Sequence, residues 1–471
     1  MSLFDKTLTY FKELSRIPRK SHQEEKVRKW LISWAKSHNW EYEEDAIGNL
    51  LIQATTNDQK LTTKNWTKIC LQSHMDMVCV SREPHDWDTE GVTVIEENGI
   101  LKWNRTTLGA DNGIGVALMM AVAEMTERPD LELLFTMGEE VWLIWAHHIT
   151  LPLTAPYGIN LDWCHSEYIG IGCGGTLLME GSYTMKNEEW IGENAWMAFR
   201  ANGGIYSIKI SSMRGGHSGV DIDENRGNAL IELAKILTER EDIEGIGELL
   251  GGDADNAIPR SAHAKILFQW DRDELHNWAQ EKTLEIQTRT DNTKVEITIE
   301  ETVHDGEFHK KHILQAFVSL DSGVETWWDD NIALSSWNLG KMKLVDGTLQ
   351  WCYFIRTNIP WGIEPMKQKI LSQFDEVSWE LSHESPVYLA DTDSPFVEKI
   401  LTAIESVNGK KIPAVTTHAT VEVGTLAKKY PDTEWISIGA TCHDMHTTRE
   451  HIHLADLEEF CERMERIIWS F

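Results

Sequence analysis

The chain has little positive charge and no long apolar run. Its 44 Lys and Arg face 75 Asp and Glu, a net charge of −31. Such a surface repels nucleic acid and anionic membranes. No uninterrupted apolar stretch approaches the ~20 residues that a membrane-spanning helix needs. The opening residues, MSLFDKTLTYFKELSRIP, carry charge from Asp5 onward and have no apolar core, so we expect no signal peptide. We therefore expect neither a nucleic-acid partner nor a membrane partner.

Cysteine is also scarce. Seven cysteines, an odd number, are scattered from Cys70 to Cys461 without paired spacing. This pattern predicts reduced thiols and a cytoplasmic location rather than a disulfide framework. What the chain does have is length: 471 residues with 41% hydrophobic content can bury a large core and predict two domains or more.

Short apolar segments alternate with helical patterns in the first part of the chain. Ser21 and Glu24 fit a capping box before a helix that reaches about Lys36. A helical pattern, GVALMMAVAEM, lies between two of the apolar segments, and those read as strands are IGNLLIQA, KICLQ (68–72), LELLFTM (131–137), GINL (158–161) and EWISIG (434–439). The pattern predicts an α/β fold with a mostly parallel sheet and helices on both of its faces.

Carboxylates and imidazoles follow these strands. In open parallel sheets, ligands bind outside the carboxyl ends of the strands, so these side chains are predicted to meet at one edge. The residues are His74 and Asp76 after the second strand, Glu139 and Glu140 after the third, Asp162 after the fourth, and His443, Asp444 and His446 after the last. Asp111 joins them from the glycine-rich turn TLGADNGIG, which precedes a helix.

This combination of side chains predicts a metal centre. Two histidines with several carboxylates suit zinc, manganese or cobalt better than calcium. Five ligands exceed what one catalytic zinc ion takes from protein, so one carboxylate is expected to bridge two ions about 3.5–4 Å apart. Asp76, two residues after His74, points to the same side of an extended chain and can orient its imidazole. Of Glu139 and Glu140, one can bind metal while the other acts as general base.

Several motifs in matching order resemble the aminoacyl-histidine dipeptidases, a branch of the co-catalytic di-zinc aminopeptidase and acylase group. They are SHMDMV, TTLGADNGIG, LFTMGEE, GINLD, IGCGG, RGGHSG and NAIPR. The resemblance implies a two-ion centre with five ligands: His74 and Asp162 on one ion, Glu140 and His446 on the other, and Asp111 bridging both. It also implies that Asp76 orients His74. Glu139 would be the general base that takes a proton from the metal-bound water and passes it to the leaving amine.

The resemblance further implies a catalytic domain that is interrupted by a lid. The expected boundaries are 1–175 for the first catalytic part, 176–385 for an inserted α+β lid of the dimerisation type, and 386–471 for the second catalytic part, with a homodimer as a possible assembly. The substrate-facing residues implied are His217, Asn256 and Arg356, with His418 and Glu422 toward the substrate's N-terminal side. An imidazole and an amide can hold an oxyanion, and a guanidinium fits a terminal carboxylate.

The function that follows is hydrolysis of unblocked dipeptides, a small peptide substrate, with carboxy-terminal histidine favoured. One alternative is an acylase or tripeptidase with the same metal site, and another is a metal-binding or scaffold protein with impaired catalysis. Trp142 and Trp145 stand where the family has small residues. HATVEVG replaces an HAGLECG-like segment, and His443 competes with His446 as a ligand. The register with EHIHL favours His446.

Tryptophan is over-represented, with 21 residues beside 9 tyrosines and 12 phenylalanines. Five stand in contexts that suit glycine: Trp40, Trp103, Trp142, Trp145 and Trp361. Trp40 in particular fits a left-handed position at a helix end. One hypothesis is that the source organism reads UGA as glycine and that these codons were translated as tryptophan. The alternative is genuine tryptophans that narrow the pocket.

Overall fold

The computed structural model describes residues 1–55, 66–103, 105–141, 148–186, 189–191, 204–268, 272–304, 306–328 and 332–471. The helices are α1 (Leu3–Leu14), α2 (Glu25–Ser37), α3 (Ala110–Ala123), α4 (Ala229–Glu239), α5 (Arg272–Arg289), α6 (Leu314–Leu320), α7 (Ile363–Leu371), α8 (Pro395–Asn408), α9 (Glu422–Lys429) and α10 (Leu454–Ser470). None of these helices is both long enough and apolar enough to cross a membrane.

The strands begin with β1 (Glu41–Glu44), β2 (Leu50–Ala54), β3 (Ile69–His74), β4 (Ile95–Glu97), β5 (Ile100–Lys102), β6 (Leu131–Thr136), β7 (Tyr157–Asn160) and β8 (Ile169–Cys173). They continue with β9 (Gly175–Thr184), β10 (Gly204–Ser211), β11 (Gly216–His217), β12 (Ile243–Gly251), β13 (Ala257–Ile258), β14 (Ala262–Phe268), β15 (Glu296–Glu301) and β16 (Gly323–Trp327). The last are β17 (Ala333–Val345), β18 (Thr348–Thr357), β19 (Ser378–Ser385), β20 (Tyr388–Leu389), β21 (Ala414–Thr417), β22 (Glu434–Ser437) and β23 (His451–His453).

The chain divides into two compact units. The first unit comprises residues 1–173, 388–417 and 421–471, and the second comprises residues 174–387 and 418–420. The chain thus leaves the first unit after β8 and returns to it at β20. The catalytic and lid roles expected for such parts remain predictions.

The first unit is built on a mixed sheet with the order β1-β2-β6-β3-β7-β22-β8-β20, in which β21 also pairs with β8. The central strands β6, β3, β7 and β22 are parallel, and antiparallel pairs lie toward the margins. Successive residues of β3 face different cores: Ile69 and Leu71 lie in one apolar cluster, and Cys70 lies in another. Both faces of the sheet are therefore covered, which confirms the predicted α/β class.

The helices of the first unit follow local sequence signals. Ser2 caps α1 through a capping box with Asp5, and Leu3, Phe11 and Leu14 place its apolar face in the core. Almost every residue of α3 is buried, as expected for a helix packed between the sheet and α1.

The capping box predicted for α2 is wrong. No side chain caps the helix, which begins at Glu25. The Ser21 hydroxyl donates instead to Asp76 Oδ2 at 2.7 Å, and Glu24 Oε1 accepts a hydrogen bond from the Gly138 amide at 2.9 Å. Ser21 therefore binds the loop after β3, and Glu24 binds the loop after β6. These partners are distant in sequence and take the place of the predicted contacts within the helix end.

The second unit contains an antiparallel sheet with the order β15-β10-β14-β12-β17-β18-β9-β19, and β16 pairs with β17. An apolar core joins this sheet to helices α4 to α7. Asn228 caps α4, because its side-chain oxygen accepts hydrogen bonds from the amides of Leu230 (3.0 Å) and Ile231 (3.3 Å).

The left-handed conformation expected for Trp40 is also wrong. Asn39 takes that position with φ 57°, and Trp40 is buried with its ring stacked on His38. Neither Trp103 nor Trp361 has a positive φ. The backbone therefore does not require glycine at these three positions. Trp142 and Trp145 lie outside the described residues.

Candidate metal centre

His74 is the last residue of β3, and the neighbouring strand β6 ends in register with it at Thr136. Its imidazole is fully buried. On one side Nδ1 lies 3.3 Å from Asp76 Oδ1, and on the other Nε2 lies 3.2 Å from Asp111 Oδ1 and 3.4 Å from Asp162 Oδ1. This arrangement is the one a metal-ligating histidine needs, because one ring nitrogen faces an acceptor and the other faces further candidate metal ligands.

Asp111 contacts both histidines of the cluster. Its Oδ2 lies 3.2 Å from His446 Nε2, which also lies 3.2 Å from Glu140 Oε2. His446 adopts a left-handed backbone conformation with φ 60°, which is uncommon for a residue other than glycine and is found at functional sites. His443 does not share this position, because its ring stacks on His451 with centroids 5.0 Å apart.

The donor atoms form overlapping sets. The atoms of His74, Asp111 and Asp162 lie within 4.8 Å of one another, and so do those of Asp111, Glu140 and His446. A third set, in which the donor atoms lie within the same distance of one another, comprises His74, Glu139 and Glu140. The first two sets share Asp111, whose two carboxylate oxygens face different histidines.

The donor chemistry fits zinc or a similar divalent ion. Ligand atoms around one tetrahedral zinc ion at about 2.1 Å are about 3.4 Å apart, close to the separations observed here. Glu140 Oε1 is buried and has no hydrogen-bond partner among the described residues. The set therefore contains a buried carboxylate oxygen available to a cation.

Burial and crowding perturb the pKa values of these carboxylates. Burial and the charge of Asp162 raise the pKa of Glu139 well above its usual range. Burial raises the pKa of Asp162 to about 8, and the charge of Asp111 acts in the same direction. Burial also favours the neutral form of Asp111, but hydrogen bonds from His446 and His74 outweigh it and lower that pKa. Several buried acids competing for two imidazoles form a site where a divalent cation is favourable.

Asp76 connects the two sides of the cluster. Besides His74, its carboxylate accepts hydrogen bonds from the backbone amides of Glu139 (3.0 Å) and Glu140 (3.2 Å) and from the Ser21 hydroxyl. The sequence predicted only the contact with His74. The spacing of Asp76 from His74 is a local signal, whereas the amides come from a loop more than 60 residues away.

A comparison with family models places this arrangement in a known group. Residues 70–470 match the model of peptidase family M20/M25/M40. The chain belongs to this family. It is therefore a peptide-bond hydrolase, and the resemblance seen in the sequence is confirmed at this level. The match begins inside β3 and includes every residue of the cluster.

Individual relatives of this M20 peptidase are distant. The cytosol non-specific dipeptidase of Escherichia coli is 27% identical over 96% of this chain and 94% of its own length. The aminoacylhistidine dipeptidase of Vibrio alginolyticus has a crystal structure with a TM-score of 0.80, 23% identity, and coverage of 99% of this chain and 96% of that one. A tripeptidase from Staphylococcus aureus gives a TM-score of 0.56 with 14% identity, covering 99% of this chain and 97% of that one. The structural matches establish the fold.

Three of the predicted substrate residues of this M20 peptidase meet in the second unit. His217 pairs with Ala257 between β11 and β13, directly beside Asn256. Ser218 joins them to Arg356, because its amide donates to the Asn256 carbonyl (2.8 Å) and its hydroxyl accepts from Arg356 Nε (3.3 Å). Arg356 is buried, and none of the described carboxylates forms an ion pair with it.

Of the last two predicted residues, one belongs to each unit. His418 also belongs to the second unit, where Nδ1 lies 2.6 Å from Asn358 Oδ1 and Nε2 lies 2.7 Å from the Ser336 hydroxyl. Glu422 lies in the first unit, at the start of α9, where the Gln72 side chain donates a hydrogen bond to it. Both ring nitrogens of His418 thus have partners within the protein.

Proposed function

We propose that this M20 peptidase is a dipeptidase that uses two divalent metal ions to hydrolyse unblocked dipeptides, with a preference for carboxy-terminal histidine. The observation that carries the proposal is the position of Asp111 between His74 and His446, with one carboxylate oxygen 3.2 Å from each imidazole. His74 and Asp162 would hold one ion, Glu140 and His446 would hold the other, and Asp111 would be shared by both.

The catalytic roles in this proposal are those that the sequence resemblance implies, and the chemistry of each residue is compatible with its role. Bound ions of this kind polarise the scissile carbonyl and lower the pKa of water. Glu139 accepts a proton from the attacking water and delivers it to the amine that leaves. Asp76 Oδ1 lies 3.3 Å from His74 Nδ1, and by holding the proton on that nitrogen it would keep Nε2 available as a ligand. His217 and Asn256 stabilise the oxyanion, and Arg356 binds the terminal carboxylate.

Several finer properties belong to the same proposal. Zinc is the ion that best suits the nitrogen and oxygen donors, with manganese and cobalt as alternatives. A cytoplasmic location agrees with seven cysteines that all lie in the described residues and form no disulfide, and with the name of the Escherichia coli relative. The preference for histidine rests on the resemblance in sequence and on the name of the Vibrio alginolyticus protein. His418 and Glu422 complete the substrate-facing set.

One experiment separates this function from its alternatives. Purified protein is loaded with zinc, manganese or cobalt and incubated with dipeptides that end in histidine or another residue, with a tripeptide and with an N-acylated amino acid, and release of amino acids is measured. We expect fastest release from unblocked dipeptides that end in histidine. Release from the acylated compound alone would indicate an acylase. No release from protein that holds two ions would indicate a scaffold.

A further inference from the structure

The bridging residue Asp111 lies in a turn that cannot hold its shape by helical hydrogen bonds alone. Gly109, which precedes α3, has φ 69°, and no side chain of its own segment caps the helix. Asp111 and Asn112 depart from helical geometry, with ψ values of 113° and 38°. The amides at this end of α3 therefore need acceptors from elsewhere in the fold.

Glu450 supplies those acceptors from more than 300 residues away. Its Oε2 accepts hydrogen bonds from the amides of Leu108 (2.8 Å) and Gly109 (3.1 Å), and its Oε1 accepts from those of Ala110 (2.7 Å) and Asp111 (3.4 Å). Only 2% of the Glu450 surface is exposed. A buried carboxylate that accepts four successive amides fixes the path of the backbone, because each of those amides would otherwise be unpaired.

Arg19 holds the other side of the same turn. It is as deeply buried as Glu450, and it donates hydrogen bonds to the carbonyls of Met75 (3.2 Å), Asp76 (2.7 Å) and Gly109. A side chain at position 109 would collide with this guanidinium, because an added Cβ would lie 2.5 Å from Arg19 Nη2. Arg19 thus ties the turn that carries Asp111 to the segment that follows His74.

Glu450 also belongs to the loop that carries His446. A two-way backbone pairing between His443 and His451 closes this loop, and the Glu450 amide donates to the Thr447 carbonyl at 3.1 Å. The same side chain therefore connects the backbone of one ligand to the loop of another. We propose that Glu450 and Arg19 are positioning residues that set Asp111 relative to His446 and thereby the affinity of the two-ion centre. This inference rests on the proposed function.

Cobalt binding tests the inference without an activity assay. Metal-free protein is titrated with Co²⁺ by calorimetry and by visible absorption, which reports the ligand geometry. Glu450→Gln keeps the size of the side chain but replaces one acceptor oxygen by a donor. We expect this variant to bind one of two ions about 10- to 100-fold more weakly than the wild type, the range for residues that orient metal ligands, and to change the absorption spectrum.

Glu132→Gln is the matched control. Glu132 is fully buried in β6 and accepts hydrogen bonds from the amides of Thr154 and Ala155, both at 2.9 Å, but it contacts no residue of the cluster. Its replacement should leave cobalt affinity and spectrum unchanged. If Glu450→Gln does not fold, Arg19→Lys is titrated with cobalt in its place. This substitution keeps the buried charge, and we expect it to weaken the binding of one ion to the same extent.

Three results would overturn the inference. The first is an unchanged affinity and spectrum in the folded Glu450 or Arg19 variant. The second is an equal change in the Glu132 variant, which would point to general destabilisation. The third is a wild-type protein that binds no cobalt, which would overturn the proposed function together with the inference. If the wild type binds two ions and the variant binds them equally well, the inference alone is refuted.

Discussion

Replacing Asp76 by asparagine tests how one buried carboxylate supports the whole cluster. Four donor groups lie at its two oxygens: Oδ1 accepts a hydrogen bond from the Glu139 amide and lies 3.3 Å from His74 Nδ1, and Oδ2 accepts from the Glu140 amide and the Ser21 hydroxyl. Asparagine has one acceptor oxygen and one donor group. If the asparagine oxygen takes the place of Oδ1, the Glu140 amide loses its acceptor. If the oxygen takes the place of Oδ2, the Glu139 amide and His74 Nδ1 lose theirs.

The size of the effect follows from this count. A buried donor without an acceptor costs about 1–3 kcal/mol. The better orientation of the introduced asparagine leaves one such donor, because the Ser21 hydroxyl can rotate, so Asp76→Asn should lower the free energy of unfolding by about 1–3 kcal/mol. We also expect metal affinity to fall about 10- to 100-fold, because the loop of Glu139 and Glu140 loses an anchor.

Urea unfolding of the metal-free protein at neutral pH, followed by tryptophan fluorescence, measures the first quantity, and metal titration measures the second. Ser21→Ala is the control, because it removes one partly exposed donor and leaves the contact with His74 intact. It should cost about 0.5–1.5 kcal/mol and leave metal affinity unchanged. An Asp76→Asn variant with wild-type stability and wild-type metal affinity would refute the reasoning.

Four further predictions concern catalysis, substrate binding, metal and pH. Glu139→Gln should lower turnover by about 100- to 10,000-fold with two ions still bound, whereas Glu140→Gln should lose one ion; the opposite pattern, read from metal analysis, would exchange their roles. Arg356→Ala should cost about 1.5–3 kcal/mol of transition-state binding on dipeptides with a free carboxylate, and an equal loss in kcat/KM on amidated dipeptides would contradict the carboxylate role. A chelator should lower the melting temperature, since an ion at 100 times its Kd contributes about 2.7 kcal/mol, and zinc should restore it; an unchanged temperature would argue against resident metal. Burial and the charge of Arg356 lower the pKa of His418 to about 3, so the unfolded chain takes up a proton that the folded one does not. The free energy of unfolding should therefore decrease as the pH is lowered from about 6.5 to about 3. His418→Asn should make it depend less on pH, as measured by urea unfolding at several pH values.

The arrangement of acids and imidazoles at strand ends could be predicted because it is encoded locally. Apolar segments of four to seven residues indicate buried strands, and the residue after each strand is visible without knowing the fold. Parallel pairing then brings those ends to one edge, so His74, Asp162 and Glu140 were expected to meet. A different local signal, the glycine-rich turn before a helix, identified Asp111. These predictions needed only local sequence patterns and the geometry of open sheets.

The supporting contacts were decided by tertiary structure. Ser21 matched a helix cap in sequence, yet its hydroxyl binds Asp76. The sequence favoured His446 over the competing His443 only through its register with EHIHL, whereas the path of the last loop places His446 Nε2 3.2 Å from Asp111 Oδ2. Glu450 carries no local signal, because its partners lie 339 to 342 residues earlier. A hydrogen bond between distant segments depends on how the whole chain packs. Local pattern therefore determined which side chains reach the site, and packing determined which side chains hold them there.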